Sequence, residues 1–288
     1  MISFERADNR LLDDLTEIVE ELVTRTGIDP DQLLVVGAGC RDIMHSALGY
    51  EFPLRGTSDT DLGIAVADWA LSEDIERLFP RTGDTGIRYL VAGLPVDIMP
   101  FGGIEDPDGI SSPAPRGEEL VVFGFSDVYD RAHHLMLPSG ARIRIPSIAG
   151  YVALKLRSWL DRSAYGEDKD AKDLAVTAFW YRESRSVEER LYRTDSGNTL
   201  LESTGWDVPL AAAQLLGMDA AQQLSQDARD DLGSRWSRAD LDSFARGFVL
   251  PPGGPADFGL ARRSEIAQQL ITGLTLPAVK LHSELPQG

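Results

Sequence analysis

The strongest constraint on the fold is a run of four apolar residues, Leu33-Leu34-Val35-Val36, that stops at Gly37-Ala38-Gly39. A short continuous apolar run bounded by turn residues reads as a buried strand, and two glycines let the backbone reverse sharply. Helical spacing follows at about 40–48, so this stretch predicts a strand, a glycine turn and a helix. Upstream, Leu11, Leu12, Leu15, Ile18, Val19, Leu22 and Val23 recur at helical spacing, which predicts an amphipathic helix over 8–26 that ends at Gly27. Downstream, Gly56-Thr57-Ser58 breaks the chain, and Asp59 to Ala67 alternates around Leu62, Ile64 and Val66 like a half-buried strand. A helix over 70–79 follows. Strands over 87–91 and 94–99 are joined by Ala92-Gly93, the second ending at Pro100.

Residues 102–118 are rich in Gly, Pro, Ser and Asp and predict a surface loop. Strand-like sequence returns at 119–125 and 141–145. From Pro146 the texture changes: helical spacing recurs at 148–160, 167–181, 186–193, 208–216, 219–230, 237–247 and 259–272, and strand signals nearly vanish. The fold class read from this is α+β, a mixed sheet with flanking helices over 1–145 followed by a mostly helical domain over 146–288. The stretch Pro251 to Pro255 reads as a rigid loop rather than a linker to a third domain.

Charge narrows the function classes. Lys plus Arg total 28 against 46 Asp plus Glu, a net charge of −18 at pH 7, which opposes a broad electrostatic grip on nucleic acid or anionic membrane. No apolar run is long enough to span a bilayer, and no basic segment leads into an apolar stretch at the amino end, so a soluble cytoplasmic protein is expected. The single cysteine, Cys40, excludes an intrachain disulfide and a multi-cysteine zinc site.

Four places could carry chemistry. Asp59 and Asp61, in Ser58-Asp59-Thr60-Asp61, stand two apart at a strand start and so present two carboxylates on one face, a divalent-cation site in outline; a solvated strand entry is the ordinary alternative. Asp97 lies between Val96 and Ile98 in an apolar strand, where an unpaired carboxylate is costly. If its strand lies beside that of Asp61, it supplies a third carboxylate around Mg²⁺; otherwise an arginine or solvent satisfies it. The turn Gly37-Ala38-Gly39-Cys40 lets backbone approach a phosphate at a helix amino end, although a tight turn without ligand and a dinucleotide site lacking its third glycine read similarly. Finally, only four basic residues are lysines, and three of them, Lys155, Lys169 and Lys172, fall in one stretch, so Lys155 amid Val152, Leu154 and Leu156 suits a phosphate contact or a snorkelling flank position. His133 and His134 diverge on any regular element and receive no role.

Taken in order, Gly37-Ala38-Gly39-Cys40, Ser58-Asp59-Thr60-Asp61-Leu62, Asp97-Ile98-Met99-Pro100, Lys155 and Lys169-Asp170 with Asp173-Leu174 resemble the AbiEii-type nucleotidyltransferases of the minimal nucleotidyltransferase superfamily over residues 33 to about 181. The resemblance implies that Asp59, Asp61 and Asp97 bind Mg²⁺ or Mn²⁺, with Asp97 also aiding deprotonation of the acceptor. It further implies that Gly37, Gly39, Cys40 and Ser58 cradle the nucleoside triphosphate, that Lys155 contacts phosphate, and that Asp173, in preference to Asp170, is the helical acid. Where the family carries Gly-Gly or Gly-Ser, this chain has Gly39-Cys40, and the interval from Cys40 to Asp59 holds an inserted loop. The activity implied is Mg-dependent transfer of a nucleoside monophosphate from an NTP to a hydroxyl acceptor, tRNA or protein. The role implied is that of a toxin with an antitoxin protein as partner. The alternatives are a non-catalytic nucleotide-binding or interaction protein on the same fold and an NAD(P)-dependent oxidoreductase.

Overall fold

In a computed structural model that describes residues 2–114, 116–255 and 258–276, the chain opens with helix α1 (Asn9–Thr26), whose first turn is capped by the Asp8 carboxylate accepting from Arg10 N–H. Leu12, Leu15, Ile18, Val19 and Leu22 form its buried stripe, as the spacing predicts. Strand β1 (Leu33–Val35) is wholly buried and passes into α2 (Gly37–Ala47). The two glycines are the first turn of that helix rather than a loop ahead of it. Then come β2 (Thr60–Val66), α3 (Ala70–Leu78), β3 (Arg88–Val91) and β4 (Leu94–Gly102).

β4 runs through Pro100 instead of stopping there. The β3 ladder pairs only Leu94 to Asp97, so at Pro100 no β3 partner remains to miss an N–H. The segment read as a loop contains β5 (Ile110–Ser111), which pairs with β6 (Leu120–Val121). Two further elements escaped the sequence reading: α4 (Phe125–Asp130) and β7 (His133–Met136). Each is short and fully buries one residue, Val128 and Leu135 respectively, too few to establish a period. β8 (Arg142–Ile145) and α5 (Ile148–Ser163) follow.

Six strands make one mixed sheet in the order β3-β4-β2-β1-β8-β7. The β4–β2 and β1–β8 pairs are parallel and the others antiparallel. The fold is α+β, and among the described residues no helix is long and apolar enough to cross a membrane.

The chain divides into two units. The first comprises Met1–Leu154 with Gln223–Ser225 and Pro251–Gly254, and the second comprises Lys155–Gln222, Gln226–Leu250 and the chain from Pro255. The division falls inside α5 rather than at 146, because Leu154 still packs in the first unit's core with Leu34, Val36, Phe101, Val122 and Val128.

The described part of the second unit is helical: α6 (Lys169–Arg182), α7 (Arg185–Arg193), α8 (Asp195–Ser203), α9 (Val208–Gln222), α10 (Gln226–Trp236), α11 (Leu241–Gly247) and α12 (Leu260–Thr275). α8 has no counterpart in the sequence reading, and α9 continues to Gln222 where a break was predicted. Trp159 and Trp236 stack with ring centres 5.0 Å apart, and Phe244 meets both edge to face. α9 and α12 touch backbone to backbone: a Cβ on Gly217 would lie 2.0 Å from the Leu270 carbonyl oxygen, and one on Gly273 would lie 1.9 Å from that of Gln214.

The first of two predictions follows from this packing. Gly273→Val forces the helices apart and lowers stability by about 3 kcal/mol, measured by urea denaturation. The second concerns Asp31, just before β1, whose Oδ2 accepts from Arg144 Nη2 of β8 at 2.7 Å. That hydrogen bond holds the carboxyl below its ordinary 3.8 despite burial. A depressed folded pKa contributes stability above the unfolded value and loses it as pH falls through the folded one. The stability gap between the natural chain and Asp31→Asn should therefore be present at neutral pH and close progressively below pH 3.8.

Candidate active site

The site is assembled by strand direction. β1 runs antiparallel to β2 with Val35 opposite Leu62, so β1 finishes where β2 begins. Val36 donates its N–H to the Asp61 carbonyl at 3.0 Å, and the next residue, Gly37, opens α2 directly against the Asp61 side chain. Gly37 has φ +62, and a Cβ there would lie 1.8 Å from Asp61 Oδ2. Glycine is required at this position on both counts. The amino end of α2 carries the positive pole of the helix, which favours an anion beside it.

β2 and β4 are parallel and in register, with Asp61 opposite Asp97. Paired residues on adjacent strands project to the same face with the strands about 4.8 Å apart, so the two carboxylates are neighbours. On the far side of β4, the antiparallel register places Arg88 opposite Asp97. Arg88 Nε donates to Asp97 Oδ1 at 2.7 Å and Nη2 donates to Oδ2 at 2.8 Å, a two-pronged pairing. Nη2 also donates to Asp59 Oδ2. Asp59 sits one residue before β2, where its Oδ1 accepts from Thr57 Oγ1 at 2.5 Å. The hydrogen bond to Asp97, then the charges of Asp97, Asp59 and Asp61, hold the Arg88 guanidinium well above the usual arginine range.

Asp59, Asp61, Asp97 and Gly37 are thus brought to one end of the sheet. Gly39, Ser58 and Asp59 line a neighbouring cavity of about 210 Å³, together with Asp14 of α1 and Asp42 of α2. Cys40 is fully buried, and its N–H donates to the Val36 carbonyl at 3.2 Å.

Lys155, Asp170 and Asp173 lie in the second unit. Asp170 and Asp173 are three apart on α6 and so share a helix face. Lys155 Nζ is 2.8 Å from Asp170 Oδ1 and 2.8 Å from Asp173 Oδ2, and Arg162 Nη1 is 3.1 Å from Asp170 Oδ2. The lysine bonds both acids, and Asp170 also pairs with Arg162. Burial alone would push the lysine ammonium down; the two carboxylates outweigh it and hold it above the usual lysine range.

Arg88 is the residue that sequence reasoning missed, although the signal was present. A two-residue turn at Ala92-Gly93 sets Val91 against Leu94, and counting back along the hairpin sets Arg88 against Asp97.

Three aspartates supply the hard oxygen ligands that Mg²⁺ or Mn²⁺ takes. Their arrangement does not fit such an ion: the Arg88 fork holds both oxygens of Asp97 and reaches Asp59. Among the described residues, moreover, no group of three or more His, Cys, Asp or Glu side chains forms a metal-holding cluster.

Compared with known proteins, the chain matches no family model, no curated protein and no solved structure.

The Lys155 cluster generates a prediction of its own. Removing the cation strips both buried carboxylates of the ammonium that sits between them, so Lys155→Met should lower stability by about 3–5 kcal/mol in chemical denaturation.

Proposed function

We propose that the first unit carries a nucleotidyl-transfer site, in which a nucleoside monophosphate passes from an NTP to a hydroxyl acceptor and pyrophosphate leaves. The observation that supports it is the register of Asp61 beside Asp97, with Asp59 and the opening of α2 at the same end of the sheet. Two acids from one strand region, a third on the neighbouring strand and a glycine-opened helix are what the family resemblance implies. In this chemistry the acceptor oxygen bonds the α-phosphorus as the bond to the bridging oxygen of pyrophosphate breaks. The protein's part is positioning and charge balance rather than covalent help. The amino end of α2 favours phosphate oxygens, and the cavity beside Asp59 offers room for a bound group. Mg²⁺ or Mn²⁺ belongs to the proposal as the cation of such transfers, with no step assigned to it, because Arg88 engages the carboxylates that would hold it.

The net charge of −18 favours an acceptor met over a small area, the end of a tRNA or a protein hydroxyl, over one gripped along an extended RNA. A cytoplasmic toxin restrained by an antitoxin protein is the biological role that goes with this proposal, supported by the resemblance alone. A second reading, a non-catalytic nucleotide-binding protein on the same fold, is favoured by one observation: both oxygens of Asp97 already accept from Arg88.

Incubation of the protein with Mg²⁺, each α-labelled NTP and either total tRNA or a protein extract tests both readings. Transfer predicts labelled macromolecule that falls about 100-fold or more in the near-isosteric Asp61→Asn. Labelled NTP that binds without being transferred supports the second reading, and absence of both binding and transfer rejects the two together.

A further inference from the structure

The row of charges across β2, β4 and β3 also determines which cation this end of the sheet holds. We propose that Arg88 is its resident cation, a tethered guanidinium in the place between Asp97 and Asp59 that a divalent ion would need, so that ion binding here requires exchange with Arg88 rather than addition to it. The inference concerns the same carboxylates as the proposed transfer but rests on their geometry alone.

Three features carry it. The Arg88 fork engages both Asp97 oxygens, at 2.7 and 2.8 Å. The same guanidinium bonds Asp59, so one cation ties the segment before β2 to β4 across the space between them. The register keeps the two side chains at close range in the folded hairpin, since Arg88 stands opposite Asp97 and shares its face. Exchange is nevertheless feasible. The Arg88 side chain is 27% exposed, so it can swing to solvent without opening the core. A divalent ion entering while the fork stays in place would compete for occupied lone pairs beside a like charge. With the guanidinium gone, Asp59 and Asp97 lose the cation that pairs them, which favours a divalent ion in its place.

Isothermal titration of Mn²⁺ into the full chain at fixed ionic strength tests this, with circular dichroism and thermal melting to confirm folding. Arg88→Gln is expected to bind Mn²⁺ at least about ten-fold more tightly than the natural chain. Adding Asp97→Asn to Arg88→Gln should abolish the gain, which places the ion on this row. Equal or weaker binding by folded Arg88→Gln overturns the proposal, as does a gain that survives Asp97→Asn. Should Arg88→Gln fail to fold, Arg88→Lys keeps the charge without the fork; a gain of about three-fold supports the proposal and no gain overturns it. No nucleotide enters the measurement, so failure of the transfer reaction leaves this result intact, and the reverse also holds.

Discussion

Like charges gathered at one end of a sheet must be balanced, and the ion pairing of Arg88 with Asp97 and Asp59 is the balance on which the first unit depends. The parallel register of β2 and β4 sets Asp61 against Asp97, and the antiparallel register of β1 and β2 brings Gly37 onto Asp61. Any residue with a Cβ at 37 collides with the Asp61 carboxylate, and without Arg88 both Asp97 and Asp59 lose the cation that pairs them. A helix amino end on one side and a guanidinium on the other are two separate positive fields for one set of carboxylates.

The second unit handles buried charge differently. There the lysine is enclosed and the two acids hold it, whereas at the sheet the arginine is near the surface and reaches inward. Enclosure makes the Lys155 cluster a structural commitment, because no member can leave without abandoning a charge in low dielectric. Partial exposure makes the Arg88 pairing exchangeable. The same chemistry, a cation between carboxylates, thus yields a fixed post in one unit and a movable partner in the other.

Much of the fold is legible in the sequence, and several misses are its shortest elements. α1, α2 and β2 fall where the apolar spacing puts them, because each buries several residues on a face whose period shows, and β1 is visible as an unbroken apolar run. α4, β5 and β7 bury one residue each, so no period exists to be read. Pro100 marks a stop by local rule, yet the strand continues because the proline lies where β3 has already ended.

The sequence by itself determined the inventory: three acids in apolar or strand-forming settings, a glycine-opened helix, a scarce lysine before a pair of helical acids, and a change from mixed to helical texture. It also contained the Arg88–Asp97 pairing, because a two-residue turn sets hairpin register by counting. Only the tertiary structure decided that Asp61 and Asp97 are neighbours, since β2 and β4 are parallel strands joined through α3 and β3, and such long-range register has no local signature. Only it decided, too, that the carboxylates converge on a guanidinium, because a side chain's partner depends on which strands pair and not on the residues beside it in the chain.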